Sequence, residues 1–157
     1  PLKNDGFTIK LNNGSYNLTL EECEFNSQIF FTSAVNGLFI KNCINPNIKL
    51  AFNSAGMRYV NLKDERDLSE ESSLHFVGEF ICDSLSIEGV KNLNISSNKL
   101  RILNRAVIQR NHIRSVDFTG AEFNGLFTCE DNYFENAPTF YGSSLHPTTQ
   151  LEKNRYC

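Results

Sequence analysis

Residues 106–125, AVIQRNHIRSVDFTGAEFNG, carry an apolar residue at every fifth position. These four residues are Ile108, Ile113, Phe118 and Phe123. A period of five matches neither the 3.6 residues of a helical turn nor the two-residue alternation of a strand. Each group of five residues must therefore combine a short extended piece with a turn.

The same spacing is found on the N-terminal side of this stretch. It runs between residues 20 and 60, where only Asn45 is polar, and returns between residues 80 and 100. The apolar positions of these two runs are Leu20, Phe25, Phe30, Val35, Ile40, Leu50, Ala55, Val60, Phe80, Leu85, Val90, Ile95 and Leu100. Like residues also recur twenty positions apart, as in Cys23 and Cys43. Four sides of five residues therefore close one coil of about 20 residues.

Stacked coils of this kind form a parallel β-solenoid, because each backbone pairs with the coils above and below at a spacing of about 4.8 Å. The side chain at every fifth position then points inward and stacks in a column. The predicted core columns contain Leu20, Phe25, Phe30, Ile40, Leu50, Phe80, Leu85, Ile95, Leu100, Ile108, Phe118 and Phe123. Cys23 and Cys43 occupy a small inward position, and we expect their Cα atoms about 5 Å apart in successive coils.

The stretch 106–125 resembles the pentapeptide-repeat family, whose repeat is a small residue, a polar residue, Leu or Phe, and two polar residues. Residues 136–149, NAPTFYGSSLHPTT, are similar to the endings of bacterial members of that family. The resemblance covers 14–60 and 79–145. It implies an all-β, right-handed quadrilateral parallel β-helix, usually without enzymatic activity. The residues that depart from the repeat are Asn45, Arg58, Glu88 and Asn98.

The five-residue repeat fails in segment 61–75, NLKDERDLSEESSLH. Five acidic and two basic residues give this segment a charge of −3, equal to the formal net charge of the whole chain. We interpret it as one charged inserted loop, which is either an inert solvated excursion or a protruding contact loop. Members of the resembled family that act on type II topoisomerases use such loops. The candidate partner-binding residues are Asp64, Glu65, Arg66, Asp67, Glu70 and Glu71.

The ionisable residues show no spacing that is typical of a catalytic or metal site. His75, His112 and His146 lie far apart and lack a Cys, Asp or Glu partner at metal-ligand spacing. The five cysteines include no CxxC pair, so we expect reduced thiols in a cytoplasmic protein. We therefore predict no enzymatic activity, no catalytic residue, no metal and no cofactor.

Three functions from different classes remain open. The first is a non-catalytic scaffold or protein-interaction module. The second is a modulator of a DNA gyrase or topoisomerase that acts through an acidic face or the 61–75 loop. A DNA mimic of about 7 coils, or about 34 Å, needs about 20 negative charges, whereas the chain carries −3. The third is a polysaccharide-acting parallel β-helix, which usually has longer coils and a cluster of Asp, Arg or Lys on one face.

Residues 1–157 are interpreted as a single domain, and a chain that begins at Pro1 and ends at Cys157 is also readable as an excerpt of a longer protein. The small net charge argues against direct nucleic-acid binding, and no stretch approaches the ~18 apolar residues of a membrane helix. The expected partner is another protein. A homodimer through a solenoid end is a further expectation, because an open end exposes apolar columns and unpaired backbone groups. Deletion of 61–75 is expected to leave the fold nearly intact.

Overall fold

The computed structural model describes residues 7–9, 16–31, 35–51, 57–66 and 70–157. Within these ranges the chain is all β and forms seventeen strands. This part of the chain contains no helix that is long and apolar enough to cross a membrane. Buried and more exposed side chains alternate along most of the longer strands, as expected when one face of each strand packs against the core.

The strands form two parallel sheets, here named sheet 1 and sheet 2. The strands of sheet 1 are β1 (Phe7–Ile9), β3 (Ile29–Phe31), β5 (Asn47–Ala51), β7 (Ser72–Val77), β9 (Leu93–Ser97), β11 (His112–Asp117), β14 (Tyr133–Phe134) and β17 (Arg155–Tyr156). The strands of sheet 2 are β2 (Asn17–Glu21), β4 (Gly37–Lys41), β6 (Tyr59–Lys63), β8 (Phe80–Glu88), β10 (Leu100–Gln109), β12 (Glu122–Phe123), β13 (Leu126–Glu130), β15 (Ser144–Leu145) and β16 (Gln150–Glu152). Along the chain, strands are therefore added to one sheet and then to the other.

Residues that lie opposite one another in neighbouring strands of sheet 2 are about 21 residues apart in sequence. Leu18, Leu38, Val60, Leu85 and Ala106 follow one another in register, with separations of 20, 22, 25 and 21 residues. This repeat makes the fold a parallel β-solenoid of about 6 turns. The predicted fold class is confirmed.

Residues 106–125 form one four-sided coil. Each side contributes two buried side chains separated by one residue. The buried pairs are Ala106 and Ile108, Asn111 and Ile113, Val116 and Phe118, and Ala121 and Phe123. The five-residue period of the sequence is therefore the length of one side. Aromatic rings also pack between neighbouring columns, since Phe123 stacks on Phe127 with ring centroids 4.3 Å apart.

Ten of the twelve predicted core residues are buried. They are Phe25, Ile40, Leu50, Phe80, Leu85, Ile95, Leu100, Ile108, Phe118 and Phe123. Leu20 is half-buried and packs against the core. The prediction for Phe30 is wrong, because β3 pairs with β5 in a register that turns Ile29 and Phe31 toward the core instead. Phe31 is fully buried, whereas Phe30 lies on the outer face.

The corners of the coils use left-handed backbone conformations, which Gly and Asn adopt more readily than other residues. One corner column contains Glu22, Asn42, Gly89, Arg110, Asp131 and Lys153, and another contains Gly78, Lys99, Gly120 and Gly142. Asn45 also has a positive φ of 49°, so it turns the chain and does not fill the core. Arg58 and Asn98 are exposed next to strands, and Glu88 is half-buried at the end of β8. These placements explain why the four residues depart from the repeat.

A ladder of three asparagines fills the corner that follows β10, β13 and β16. Asn111 Nδ2 donates to Asn132 Oδ1 and to Ile87 O, both at 3.0 Å. Asn132 Nδ2 donates to Asn154 Oδ1 at 3.1 Å and to Ile108 O at 2.8 Å. The ladder satisfies amide groups that would otherwise be costly to bury.

The charged insertion is narrower than predicted. Strands β6 and β7 reach into segment 61–75, and Leu62 and Leu74 are buried core residues. Only 64–71, here named the corner loop, connects the two strands. The equivalent connection between β8 and β9, residues 89–92, is four residues shorter. A deletion of 61–75 removes core residues, so the expectation that it preserves the fold is wrong for these bounds.

Cys23 and Cys43 lie in successive coils, as predicted. The β-bridge between Glu24 and Ile44 sets their register, and the Ile44 N–H donates to Cys23 O at 2.8 Å. Cys43 is buried and Cys23 is half-buried. Both are reduced cysteines that are not joined by a disulfide.

Candidate functional site

The corner loop is fastened to the coils on either side of it. The Asp64 N–H donates to Glu88 O in the next coil at 3.0 Å, and Asn42 Oδ1 in the previous coil accepts the Glu65 N–H at 2.9 Å. Asp64 is itself buried, and its Oδ1 accepts the Arg66 N–H at 2.9 Å. The first part of the loop is therefore a structural corner.

The charged side chains of this part of the loop are paired within the molecule. Glu65 Oε1 lies 2.6 Å from Lys63 Nζ, and Arg66 forms an ion pair with Glu22 in an earlier coil. The hydrogen bond from Lys63, together with its positive charge, lowers the pKa of Glu65. A partner that read these charges would have to compete with existing ion pairs.

The described end of the loop, Glu70 and Glu71, contacts Asn45 and a strand of sheet 1. Asn45 Oδ1 accepts the N–H groups of Glu70 and Glu71 at 2.8 and 3.1 Å, and Glu71 Oε1 lies 3.8 Å from Arg114 Nη1. Asp67 lies outside the described residues. The predicted partner-binding residues that the structure describes thus do not form one free acidic surface.

A different surface on the outer face of sheet 2 combines exposed aromatic, amide and guanidinium groups. We name it the Gly37 patch, and it consists of Tyr16, Asn17, Asn36, Gly37, Phe39, Arg58 and Tyr59. Tyr16 is 70% exposed and Tyr59 is 41% exposed. The Arg58 side chain is 67% exposed. The patch therefore presents large side chains that the core does not use.

The lack of a side chain at Gly37 shapes the centre of the patch. A Cβ atom at this position would lie 2.6 Å from Phe39 Cε2 and 2.9 Å from Asn17 Oδ1. Such distances are below van der Waals contact, so the Phe39 ring occupies space that any other residue at position 37 would need. Gly37 thus lets the Phe39 ring approach the backbone of β4 closely.

Backbone hydrogen bonds hold the patch across three successive coils. The Asn36 N–H donates to Tyr16 O at 2.9 Å, and Asn36 O accepts the N–H groups of Arg58 and Tyr59 at 2.9 and 3.1 Å. Asn36 Nδ2 also donates to Asn17 Oδ1 at 2.9 Å. Because successive coils stand about 4.8 Å apart, the side chains are displayed at a fixed spacing.

Charged residues border the patch in ion pairs. Arg58 Nε lies 3.5 Å from Asp83 Oδ2 on β8, and Lys41 Nζ lies 2.9 Å from Glu21 Oε1 where β4 and β2 end. The hydrogen bond and charge of Glu21 raise the pKa of Lys41. An apolar centre with a polar, charged border is the usual layout of a protein-binding surface.

Sequence reasoning missed this patch because outward residues do not follow the five-residue repeat. One signal was present in the sequence: Gly37 begins a strand in which Phe39 occupies an outward position, where polar residues are the rule. A glycine in a strand next to an outward aromatic residue indicates a ring packed over the backbone.

The outer face of sheet 1 carries polar contacts between β5, β7 and β9. Ser73 Oγ donates to Asn47 Oδ1 at 2.7 Å, and His75 Nδ1 lies 2.6 Å from Ser96 Oγ. Burial lowers the pKa of His75, and the positive charge of Lys49 lowers it further. These contacts join neighbouring coils to one another, so we assign them a structural role.

The three histidines do not converge. Beyond His75, His112 Nε2 lies 2.8 Å from Glu135 Oε1 without the alignment of a hydrogen bond, and His146 Nδ1 accepts the Thr148 N–H in a turn. Within the ranges that the structure covers, no group of three or more His, Cys, Asp or Glu side chains is arranged to hold a metal ion.

The buried thiols are poor nucleophiles. Burial raises the pKa of Cys82 to about 12 and that of Cys129 to about 12. At neutral pH both are protonated, and they act as small core residues.

The last described coil exposes side chains of the inward type. Leu145, Leu151 and Tyr156 continue the columns of Phe123, Cys129 and Phe134, respectively. The earlier three residues are at most 5% exposed, whereas the last three are 40%, 51% and 60% exposed. The terminal coil thus presents inward-type side chains with no coil packed above them among the described residues. We name this surface the open end.

Comparison of the chain with protein-family models, with curated proteins and with solved structures found no match. The functional inference therefore depends on the geometry of the surfaces described above.

Proposed function

We propose that this chain is a non-catalytic scaffold that binds another protein through the Gly37 patch. The observation that carries the proposal is the joint exposure of Tyr16, Arg58 and Tyr59 where β2 and β6 of sheet 2 begin. Tyr and Arg are enriched among the few residues that supply most of the binding energy in protein interfaces. Asn and Gly, which complete the patch, are common in surfaces that bind proteins by adaptable hydrogen bonding.

The rigidity of the patch supports the same function. Binding costs free energy for every side chain and loop that becomes ordered in the complex. The patch residues belong to, or directly precede, hydrogen-bonded strands, and Phe39 is already packed over Gly37. A partner therefore meets a surface whose backbone needs no rearrangement.

The corner loop has a smaller part in this proposal. Because Glu65 and Arg66 are engaged in ion pairs, they offer a partner little uncompensated charge. The same pairing weakens the alternative of a topoisomerase modulator that presents an acidic surface. Loop charges at the rim of an interface mainly affect the rate of association and its dependence on salt.

A second interface is proposed at the open end, where two copies of the chain would meet as a homodimer. A two-fold axis would place the terminal strands of the copies antiparallel, which allows their edges to hydrogen bond. Leu151 and Tyr156 would become buried. Glu152, Lys153 and Arg155 carry both signs of charge, so the copies would not repel one another strongly.

We also propose membership of the pentapeptide-repeat family and a bacterial, cytoplasmic origin. The support for the family is the four-sided coil at 106–125, in which both inward positions of each five-residue side are buried. The resemblance implies a coil whose sides are five residues long and are joined by corners.

The patch is tested by comparing partner capture by three purified forms of the chain. The first form is unaltered, the second carries Tyr16→Ala and Tyr59→Ala, and the third carries Tyr141→Ala. Tyr141 is 82% exposed on a remote coil. Its substitution therefore also removes an exposed aromatic ring, but outside the Gly37 patch. Proteins retained from the native host would be identified, produced recombinantly and titrated by calorimetry.

Loss of two anchor residues should weaken binding by about 1,000-fold, since hot-spot residues contribute about 2 kcal/mol or more each. The Tyr141→Ala form should bind like the unaltered chain. Equal affinity of the double variant, with circular dichroism showing an intact fold, would reject the patch as the binding surface.

A further inference from the structure

The two thiols at the corner after β2 and β4 lie close to one another. The Glu24–Ile44 bridge places Cys23 and Cys43 at equivalent positions of successive coils, which stand about 4.8 Å apart. This separation lies within the range of about 4.4–6.8 Å that Cα atoms of disulfide-bonded cysteines span.

The positions of the sulfur atoms agree with this register. Cys43 Sγ lies 3.4 Å from Leu20 O, and Cys23 Sγ lies 3.4 Å from Glu21 O, so both sulfurs are beside neighbouring carbonyl groups at the end of β2. The Cys43 side chain therefore reaches from its own coil toward the coil that carries Cys23.

The two thiols differ in accessibility. Cys23 is half-buried, whereas Cys43 is only 2% exposed, and burial raises the pKa of Cys43. A small oxidant in solution thus meets Cys23 first. Cys43 is then placed to act as the resolving thiol from inside the core.

We propose that Cys23 and Cys43 form a reversible dithiol–disulfide couple. Its disulfide would join the coil that contains β2 to the coil that contains β4, and we name this covalent link the staple. The oxidant is a low-molecular-weight disulfide of the glutathione class. The thiolate of Cys23 attacks one sulfur of that disulfide and releases one small thiolate, which takes up a proton. Cys43 then loses its proton and attacks the Cys23 sulfur, and this step releases the second small thiol. Two protein thiols are oxidised, and one small disulfide is reduced to two thiols.

The staple would fix the strands that carry much of the Gly37 patch. Asn17 lies on β2, and Gly37 and Phe39 lie on β4. Closing a loop of about 20 residues in the unfolded chain should raise the melting midpoint by about 5–10 °C. Any effect of the staple on partner binding rests on the proposed function, whereas formation of the disulfide does not.

The test uses the full chain with Cys157→Ser, which removes the exposed thiol. The protein is incubated with oxidised glutathione, alkylated and analysed by mass spectrometry before and after treatment with dithiothreitol. We expect the loss of two hydrogen atoms, no glutathione adduct, a Cys23–Cys43 peptide link and full reversal by dithiothreitol. The buried Cys82 and Cys129 serve as internal controls and should stay unreacted.

A matched form with Cys157→Ser and Cys43→Ser should instead keep a glutathione adduct on Cys23. Amide hydrogen exchange compares the oxidised and reduced forms, and protection should rise in β2 and β4 alone. A persistent adduct on Cys23 when Cys43 is present, or no reaction at Cys23, would overturn the couple. A disulfide that forms without raising protection or the melting midpoint would overturn the staple.

Discussion

The coil at 106–125 and the coil that contains the corner loop turn their corners in different ways. In the first, an inward asparagine at position 111 continues a hydrogen-bonded ladder, and each side has five residues. In the second, eight residues connect the strands, and hydrogen bonds to Asn42 and buried Asp64 hold the first described residues of this connection. A solenoid therefore accepts extra residues at a corner as long as the strands on either side remain in register.

The largest expected difference in stability is between a deletion that removes the corner loop with parts of its neighbouring strands and a replacement of the loop alone. Deleting 61–75 removes Leu62 and Leu74, and each buried Leu contributes about 2–5 kcal/mol, so the folded state should be lost. Replacing 64–71 by Gly-Val-Lys-Asn, the sequence of the shorter corner at 89–92, should keep the fold. Its free energy of unfolding should fall by less than about 2 kcal/mol. Urea denaturation followed by circular dichroism measures both forms, and a cooperatively folded 61–75 deletion would contradict the strand assignment.

The next largest difference in stability is between replacing Phe118, which lies in a core column, and replacing Phe30, which does not. Phe118→Ala should reduce the free energy of unfolding by about 3–5 kcal/mol, because the ring is buried in the regular coil. Phe30→Ala should cost about 1 kcal/mol or less, because its ring lies on the outer face, where Lys49 Nζ stands 5.0 Å from its centroid. Chemical denaturation of the two variants measures this difference. Similar losses would show that Phe30 belongs to the core.

The asparagine ladder should have an intermediate effect. Asn132→Ala removes the acceptor for the backbone N–H of Asn111 and the donor to Ile108 O. Buried groups left without partners should cost about 2–3 kcal/mol. The exposed Asn124 is a suitable control, and its substitution by Ala should change stability by about 0.5 kcal/mol or less. Thermal unfolding of both variants provides the measurement, and equal midpoints would remove the ladder from the stabilising contacts.

The smallest effect concerns His75 on the outer face of sheet 1. Burial and then Lys49 lower its pKa in the folded state, so the unfolded chain binds a proton more readily. The contribution of this group to stability is present above the unfolded pKa of about 6.5 and is lost as the pH falls through the lower, folded value. His75→Gln should therefore flatten the decline in stability below pH ~6.5, as followed by urea denaturation across that range. A variant that loses stability as steeply as the unaltered chain would exclude His75 as the cause.

The parts of the fold that the sequence predicted are those in which inward residues repeat. The inward residues from Leu85 to Leu100 and those of the coil at 106–125 keep a constant five-residue spacing, so their burial follows from the pattern alone. Phe30 could not be assigned, because Ile29, Phe30 and Phe31 are all apolar and only pairing with β5 selects the inward pair. The ends of the corner loop were hidden because Leu62 and Leu74 stand among polar neighbours.

The surface is less predictable for a physical reason. Outward side chains need only to be compatible with water and with their neighbours, so no period marks the Gly37 patch. The charges of the predicted contact loop were visible, but their partners Glu22 and Arg114 lie in other coils and become neighbours only through the fold. Net charge in a segment therefore overstates the charge that it offers to a partner.

Removal of one whole coil tests the stacked-coil structure most directly. Leu85 and Ala106 are in register, so deleting 85–105 removes one full repeat and places Ala106 above Val60 in the same column. Deleting 85–94 removes about half a repeat, so residues that belong to one sheet would have to take positions in the other. The full-coil deletion should give a cooperatively unfolding β protein with a smaller free energy of unfolding, whereas the half-coil deletion should not fold. Equal stability of the two deletion forms in urea would contradict a solenoid with a repeat of 21 residues.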